Sequence, residues 1–117
     1  MTASAGNADD VVLVLTTCPD DERVEALART LVESRLAACV NCLSPMQSQY
    51  WWKGQVEQSA ERQLVIKTTR GHLAGLERFF AEHHPYDVPE YLVIPAEGSA
   101  AYLGWVRDET GARGARQ

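Results

Sequence analysis

The stretch that decides the fold is Gln49-Tyr50-Trp51-Trp52-Lys53-Gly54-Gln55, near the middle of the 117-residue chain. Lys53-Gly54 is a candidate for a two-residue turn of the kind that joins antiparallel strands. Strands are predicted on both sides of it, over residues 38–52 and 56–69, and Pro45 marks a bulge or break in the first. The sequence therefore predicts a long β-hairpin with three consecutive aromatic residues at its tip.

This hairpin is too long for the domain that carries it. A strand over residues 38–52 would measure about 50 Å at ~3.3 Å per residue. A compact domain of this size has a radius of gyration of roughly 13–14 Å and a diameter of about 35 Å. The hairpin must therefore bend at Pro45 or project beyond its own core. If the hairpin bends at Pro45, both tryptophans would fold onto their own sheet.

A projecting tip that exposed Tyr50, Trp51 and Trp52 to water would promote aggregation. We therefore expect other copies of the chain to cover it. Alternation along the strand places Trp51 and Trp52 on opposite faces, and covering both favours a cyclic assembly.

The remaining elements follow from hydrophobic periodicity. A continuous apolar run predicts a central strand over Val11–Leu15, and helical spacing predicts helices over Val24–Val32 and residues 70–84. A fourth strand is predicted over Tyr91–Ile94, and Ser99 caps a short last helix. The order βαββαβ plus a terminal helix is that of the α+β ferredoxin-like fold, a four-stranded antiparallel sheet with two helices on one face.

Composition limits the function. The length fits one domain, predicted over residues 10–108, with a disordered tail over 1–9 and a flexible tail over 109–117. A net charge of −5 without a basic run argues against nucleic acid or an anionic membrane as partner. No apolar run reaches the roughly 18 residues of a membrane span. Three cysteines are an odd number, which favours a reducing cytoplasm over a disulfide framework.

The segment His83-His84-Pro85-Tyr86-Asp87-Val88-Pro89-Glu90 gathers titratable groups around two prolines that restrict its backbone. Such a loop is either a ligand site or a chain reversal satisfied by its own side chains. Imidazole and thiolate suit copper, zinc and nickel. We therefore consider His83, His84 and Cys18 as candidate metal ligands.

The topology sets the distance between these ligands. We expect the first and third strands to run parallel, which would place Cys18 about 20 Å from both histidines, at the opposite end of the second helix. A shared site would then need two subunits. Adjacent helical histidines also point about 100° apart, so both bind one ion only at a distorted helix end. In the alternative, His84 caps the helix and His83 is solvated.

A second candidate site involves charged residues in the sheet. Glu61 lies on the same face as Lys67 by parity, and Glu90 begins the fourth strand. If subunit packing brings these three together, they form an inter-subunit cleft suited to a small metabolite or anion. Three aromatic residues would line the same cleft: Tyr50, Trp52 and Tyr86. The alternative is an ion-pair network that locks the subunits together.

The sequence lacks a glycine-rich phosphate loop, a G-x-S-x-G motif and a paired Cys-x-x-Cys. We therefore predict that the protein is not an enzyme.

Five linked motifs resemble the CutA divalent-cation tolerance proteins: Arg35–Asn41, Tyr50–Gly54, Glu61 with Ile66-Lys67-Thr68, His84-Pro85-Tyr86 with Pro89-Glu90, and Tyr102 with Trp105. The resemblance implies a ferredoxin-like fold and an interlocked homotrimer related in architecture to the P-II signalling proteins. In such a trimer, Trp105 would join Tyr50, Trp51 and Trp52 in the interface.

The resemblance also bears on metal binding. In this family copper binding has been tied to a cysteine near the end of the first strand and to a histidine pair, which His83 and His84 match. The cysteine position is Thr16 here, and Cys18 lies two residues later. The resulting prediction is a cytoplasmic, trimeric divalent-metal tolerance protein that binds Cu(II). The alternatives are a P-II-like trimer that binds a small molecule or anion, and a scaffold that binds protein partners.

Overall fold

The computed structural model describes residues 6–111. Their elements follow in the order β1 (Val11–Pro19), α1 (Arg23–Glu33), β2 (Cys39–Cys42), β3 (Met46–Trp52), β4 (Gln55–Thr69), α2 (Leu73–His83), β5 (Leu92–Pro95) and α3 (Ala100–Thr110). A 3₁₀ turn over Arg70–His72 leads into α2. The predicted α+β architecture is confirmed.

The sheet has the strand order β2-β4-β1-β5, and every described pairing in it is antiparallel. The predicted second strand is interrupted at residues 43–45, as Pro45 indicated. It becomes β2 and β3, which pair with successive parts of β4. The described sheet therefore has five strands where four were predicted.

The core lies between the sheet and the helices α1 and α2. Its largest members are aliphatic and aromatic residues of these elements: Val12, Val14, Val24, Leu27, Leu31, Leu64, Ile66, Leu76 and Phe80. Neighbours in sequence along a strand point to opposite faces, so Lys67 lies on the face away from Ile66. Its amine lies 5.7 Å from the centroid of the Tyr102 ring. The helix α3 therefore contacts the second face of the sheet.

The direction of β4 corrects one prediction. β1 and β4 are antiparallel, with pairs running from Val11 and Thr69 to Pro19 and Glu61. The parallel arrangement expected from the sequence was wrong. The crossover through α1 makes β2 parallel to β1, and the hairpin then reverses the chain, so β4 must run against β1. As a result α2 begins beside the start of β1 and ends beside its last residues.

The hairpin projects from the domain. Trp52 pairs with Gln55 across a turn in which Lys53 and Gly54 have φ angles of 51° and 81°, the two positive values of a type I′ turn. The radius of gyration is 15.1 Å, against about 13 Å for a compact chain of this length. The side chain of Trp51 is 74 % exposed. The bent hairpin that shelters its own tryptophans is therefore excluded for this protomer.

Both ends of the described chain contact the domain. Helix α3 ends at Thr110, two residues beyond the predicted boundary at residue 108, and Thr110 is buried. The carbonyls of Ala8 and Asp9 accept hydrogen bonds from Gly71 and Arg107. The rest of the two predicted tails, residues 1–5 and 112–117, lies outside the described residues. No helix within residues 6–111 has the length and apolar character of a membrane span.

We expect Gly54→Ala to destabilise the protein by about 1 kcal/mol, because alanine at positive φ places Cβ against the backbone. The matched control is Gly104→Ala within α3, where an added Cβ meets nothing within 4 Å. That change should raise the free energy of unfolding by about 0.5–1 kcal/mol. Chemical denaturation of both variants measures the two effects. A change in the free energy of unfolding with the same sign in both variants would contradict the turn geometry.

Candidate functional site

His84 lies at the end of α2, where Pro85 favours an extended conformation in the residue before it. The backbone of His84 accordingly leaves the helix with ψ of 139°. Its ring turns toward the sheet, with Nε2 3.0 Å from Thr16 Oγ1 and 3.8 Å from Cys18 Sγ. The separation of about 20 Å predicted for Cys18 and this histidine was therefore wrong, because β1 and β4 are antiparallel.

The hydrogen bonds of His84 fix its tautomer. The backbone N–H of Tyr86 donates to Nδ1 over 3.1 Å, so in the neutral ring Nε2 carries the proton. Burial lowers the pKa of His84 from its ordinary value of 6.5, and a hydrogen bond to the backbone of Thr17 acts in the opposite direction. The imidazole is therefore neutral at pH 7 and points its Nε2–H toward Thr16 and Cys18.

The thiol of Cys18 is fully buried beside this ring. Burial, followed by the nearby Cys42 and Glu61, raises its pKa to about 11. All three cysteines of the chain are free. Because the thiolate is the nucleophilic form of cysteine, a thiol with this pKa is a poor nucleophile at pH 7, and it becomes a metal ligand only when the ion displaces its proton.

His83 does not join this group. Its side chain is 57 % exposed, its ring lies 4.8 Å from that of Phe79, and its Nε2 is 3.7 Å from a Glu82 oxygen. The two histidines thus point in different directions, as expected for adjacent residues at a helix end. Within residues 6–111, no three or more histidine, cysteine or acidic side chains are arranged to hold a metal ion.

A groove of about 780 Å³ lies between the hairpin and the loop over residues 85–90. Five of the six predicted cleft residues line it within one protomer: Tyr50, Trp52, Glu61, Tyr86 and Glu90. Lys67 does not, because it lies six residues from Glu61 along β4, a separation of roughly 20 Å. Lys67 and Glu61 are therefore not neighbours in one protomer.

Short hydrogen bonds hold the groove together. The Tyr86 hydroxyl donates to Glu61 Oε2 over 2.6 Å, and burial followed by this contact raises the pKa of Tyr86. Gln63 Nε2 donates to Glu90 Oε2 over 2.8 Å and to the Thr16 carbonyl over 2.7 Å. Sequence reasoning missed Gln63, although its position two residues after Glu61 places both on one face of β4.

We expect the stability of the metal-free protein to fall from pH 7 to pH 5 partly through His84. Above pH 6.5 the ring is neutral in both the folded and the unfolded state. Below it, the unfolded chain takes up the proton first, so the free energy of unfolding decreases until the lower pKa of the folded state is passed. In urea denaturation, the free energy of unfolding of His84→Gln should fall less between pH 7 and pH 5 than that of the unaltered protein. The difference between the two proteins at pH 8, where the ring is neutral, measures the packing lost in the variant. An equal decrease in the free energy of unfolding of both proteins would contradict the lowered pKa of His84.

Comparison with known proteins agrees with this architecture. The family model described as "CutA1 divalent ion tolerance protein" matches residues 12–109. A divalent-cation tolerance protein CutA from Pectobacterium atrosepticum is 44 % identical over 98 residues, which cover 83 % of this chain and 89 % of the relative. One from Thermus thermophilus is 43 % identical over 100 residues, 85 % of this chain and 97 % of the relative. The crystal structure of CutA from Xylella fastidiosa superposes with a TM-score of 0.82 at 39 % identity, covering 86 % of this chain and 98 % of that one. The chain therefore belongs to the CutA1 divalent ion tolerance family.

Proposed function

We propose that this protein contributes to divalent-cation tolerance by binding a transition-metal ion, with copper as the best-suited ion, through Cys18 and His84. The observation that carries the proposal is the 3.8 Å between Cys18 Sγ and His84 Nε2 within one protomer. Thiolate and imidazole together favour copper or zinc over magnesium or calcium, and copper binds most tightly in the divalent series. The names of the relatives from Pectobacterium atrosepticum and Thermus thermophilus support the cation class.

The spacing of the two atoms suits a shared ion. Typical bonds of about 2.3 Å to sulfur and about 2.0 Å to imidazole nitrogen hold the two donors roughly 3.5 to 4.3 Å apart, depending on the angle between them. The observed separation falls within this interval. Two ligands do not complete a coordination shell, so water or carboxylates would supply the rest. His83 is not part of this proposal, since its ring lies against Phe79.

Metal binding at Nε2 has a structural consequence for the loop. The ring proton must move to Nδ1, where the Tyr86 N–H now donates. Two donors cannot share that position, so the Tyr86 hydrogen bond breaks and the loop shifts. Losing one such bond costs about 1 kcal/mol, which is small beside a transition-metal affinity of roughly 10 kcal/mol.

We also infer that the working protein is a homotrimer in the cytoplasm without enzymatic activity. The assembly is supported by large apolar side chains exposed on the protomer: Tyr50, Trp51, Trp52, Val56, Leu92, Ile94, Tyr102 and Trp105. They lie on the hairpin, on β5 and on α3, and covering them all requires contacts on more than one side. The reduced cysteines fit the cytoplasm. The raised pKa of the Cys18 thiol argues against nucleophilic catalysis.

Anaerobic copper titration tests the metal site. Cys18→Ser and His84→Gln should each weaken binding at least about tenfold, because each removes one of the two ligands. His83→Gln is the matched control, with an adjacent histidine changed in the same way, and should leave the affinity unchanged. If His83→Gln alone weakens binding, the assignment of the ligand is wrong.

The proposed site also predicts that copper affinity rises with pH, which the same titration measures. A thiol whose pKa is about 11 is protonated throughout the neutral range, so each bound ion displaces one proton. Affinity should therefore rise close to tenfold per pH unit between about pH 6.5 and 8.5. Cys18→Ser should lose this dependence, and a wild-type affinity that does not change with pH would exclude the thiol as a ligand.

Sedimentation at micromolar concentration tests the assembly. We expect a mass of about 39 kDa, three times the 12.9 kDa of one chain. Trp51→Glu should lower that mass by placing a charge in the proposed interface. Val32→Glu, at another exposed apolar position on α1, is the control that should not. A stable monomer for the unaltered chain would exclude the trimer.

A further inference from the structure

The pair formed by Cys18 and His84 offers a metal ion few protein ligands. Sγ of Cys18 and Nε2 of His84 lie 3.8 Å apart, and the Thr16 hydroxyl lies 3.0 Å from the same nitrogen. Within residues 6–111, no third histidine, cysteine or acidic side chain is arranged to join the pair around one ion. An ion bound by this protomer therefore has one thiolate, one imidazole and, at most, a neutral hydroxyl as its protein ligands.

Burial limits what solvent can add to these ligands. Cys18 and Thr16 are both 0 % exposed, so water reaches neither side chain. The half-buried ring of His84 leaves a route by which an ion can come to the sulfur. Zinc takes four ligands in a tetrahedron, and Cu(II) prefers a tetragonal set of nitrogen and oxygen ligands. Either divalent ion would have to bring water into a place from which water is excluded.

The distance between the two donors is a second criterion. With bonds of about 2.3 Å to sulfur and about 2.0 Å to nitrogen, neighbouring ligands lie about 3.1 Å apart at a right angle and about 3.5 Å apart at the tetrahedral angle. The same bonds give about 3.7 Å at the angle of about 120° of a three-coordinate ion, and about 4.3 Å for a linear one. The observed 3.8 Å is nearest to the three-coordinate value. The donors are therefore spaced for an ion of low coordination number.

Net charge favours a monovalent ion. When Cu(I) replaces the thiol proton, the complex of thiolate, neutral imidazole and Cu(I) has no net charge. A divalent ion with the same ligands leaves one positive charge. Burial is the largest cause of the raised pKa of Cys18, ahead of the charge of Glu61, so the surroundings of the sulfur favour a neutral group.

We propose that the site at Cys18 and His84 is selective for Cu(I) over Cu(II) and Zn(II). This inference rests on the proposed metal-binding function and specifies its ion. Cu(I) is soft, prefers thiolate, and is stable with two or three ligands. Binding transfers no electron, because the ion arrives already reduced. The bonds from copper to sulfur and to Nε2 form, the S–H bond breaks and its proton goes to solvent, and the ring proton moves from Nε2 to Nδ1.

Anaerobic competition titrations of the full protein measure the selectivity. Bicinchoninate competes for Cu(I), and nitrilotriacetate competes for Zn(II) and Cu(II). We expect one Cu(I) per chain, with a Kd at least about 1000-fold lower than that for Zn(II) or Cu(II). Cys18→Ser replaces the soft sulfur by a hard oxygen of similar size and should reduce this ratio at least about tenfold. His83→Gln is the matched control and should keep both the affinity and the ratio.

The inference is overturned if Zn(II) or Cu(II) binds the unaltered protein as tightly as Cu(I), or if Cys18→Ser keeps the full preference. In the first case the proposed metal-binding function stands and only the choice of ion is wrong. If none of the three ions binds, the metal site itself is refuted, and this inference with it. The comparison of ions on the unaltered protein decides the matter even if Cys18→Ser does not fold.

Discussion

The antiparallel ladder between β1 and β4 determines where the candidate functional side chains of this protein lie. Its register runs from Val11 and Thr69 to Pro19 and Glu61. At the end where Val11 pairs with Thr69, the chain continues into α2. This helix runs back along the sheet and places His84 beside Thr16 and Cys18. At the other end β1 stops while β4 continues with β3, so the hairpin leaves the domain. The proximity of Cys18 to His84 and the groove are both consequences of this one pairing.

The loop over residues 85–90 connects the Cys18–His84 pair with the groove. Tyr86 donates its backbone N–H to His84 and its hydroxyl to Glu61. The proposed metal complex at His84 Nε2 would lose the first of these hydrogen bonds, and the second holds the buried carboxylate of Glu61. Tyr86 therefore contacts both the His84 ring and the groove through two hydrogen bonds.

Local signals predicted much of the fold, and non-local geometry accounts for the errors. The turn at Lys53-Gly54, the break at Pro45 and the Ser99 cap, whose hydroxyl accepts from the Tyr102 N–H, depend on residues close in sequence. The direction of β4 depends on the combination of a crossover and a hairpin, and the wrong direction placed Cys18 far from His84. Parity assigns Lys67 and Glu61 to one face, but it carries no information about distance along the strand. The inward turn of the His84 ring depends on backbone angles that sequence periodicity does not specify.

The most direct test of the account is X-ray absorption at the copper edge of the copper-loaded protein, because it reports the ligand atoms themselves. The account predicts one sulfur at about 2.3 Å together with an imidazole nitrogen at about 2.0 Å, and loss of the sulfur signal in Cys18→Ser. A shell that contains only nitrogen and oxygen in the unaltered protein would contradict the pairing of Cys18 with His84 at a metal ion.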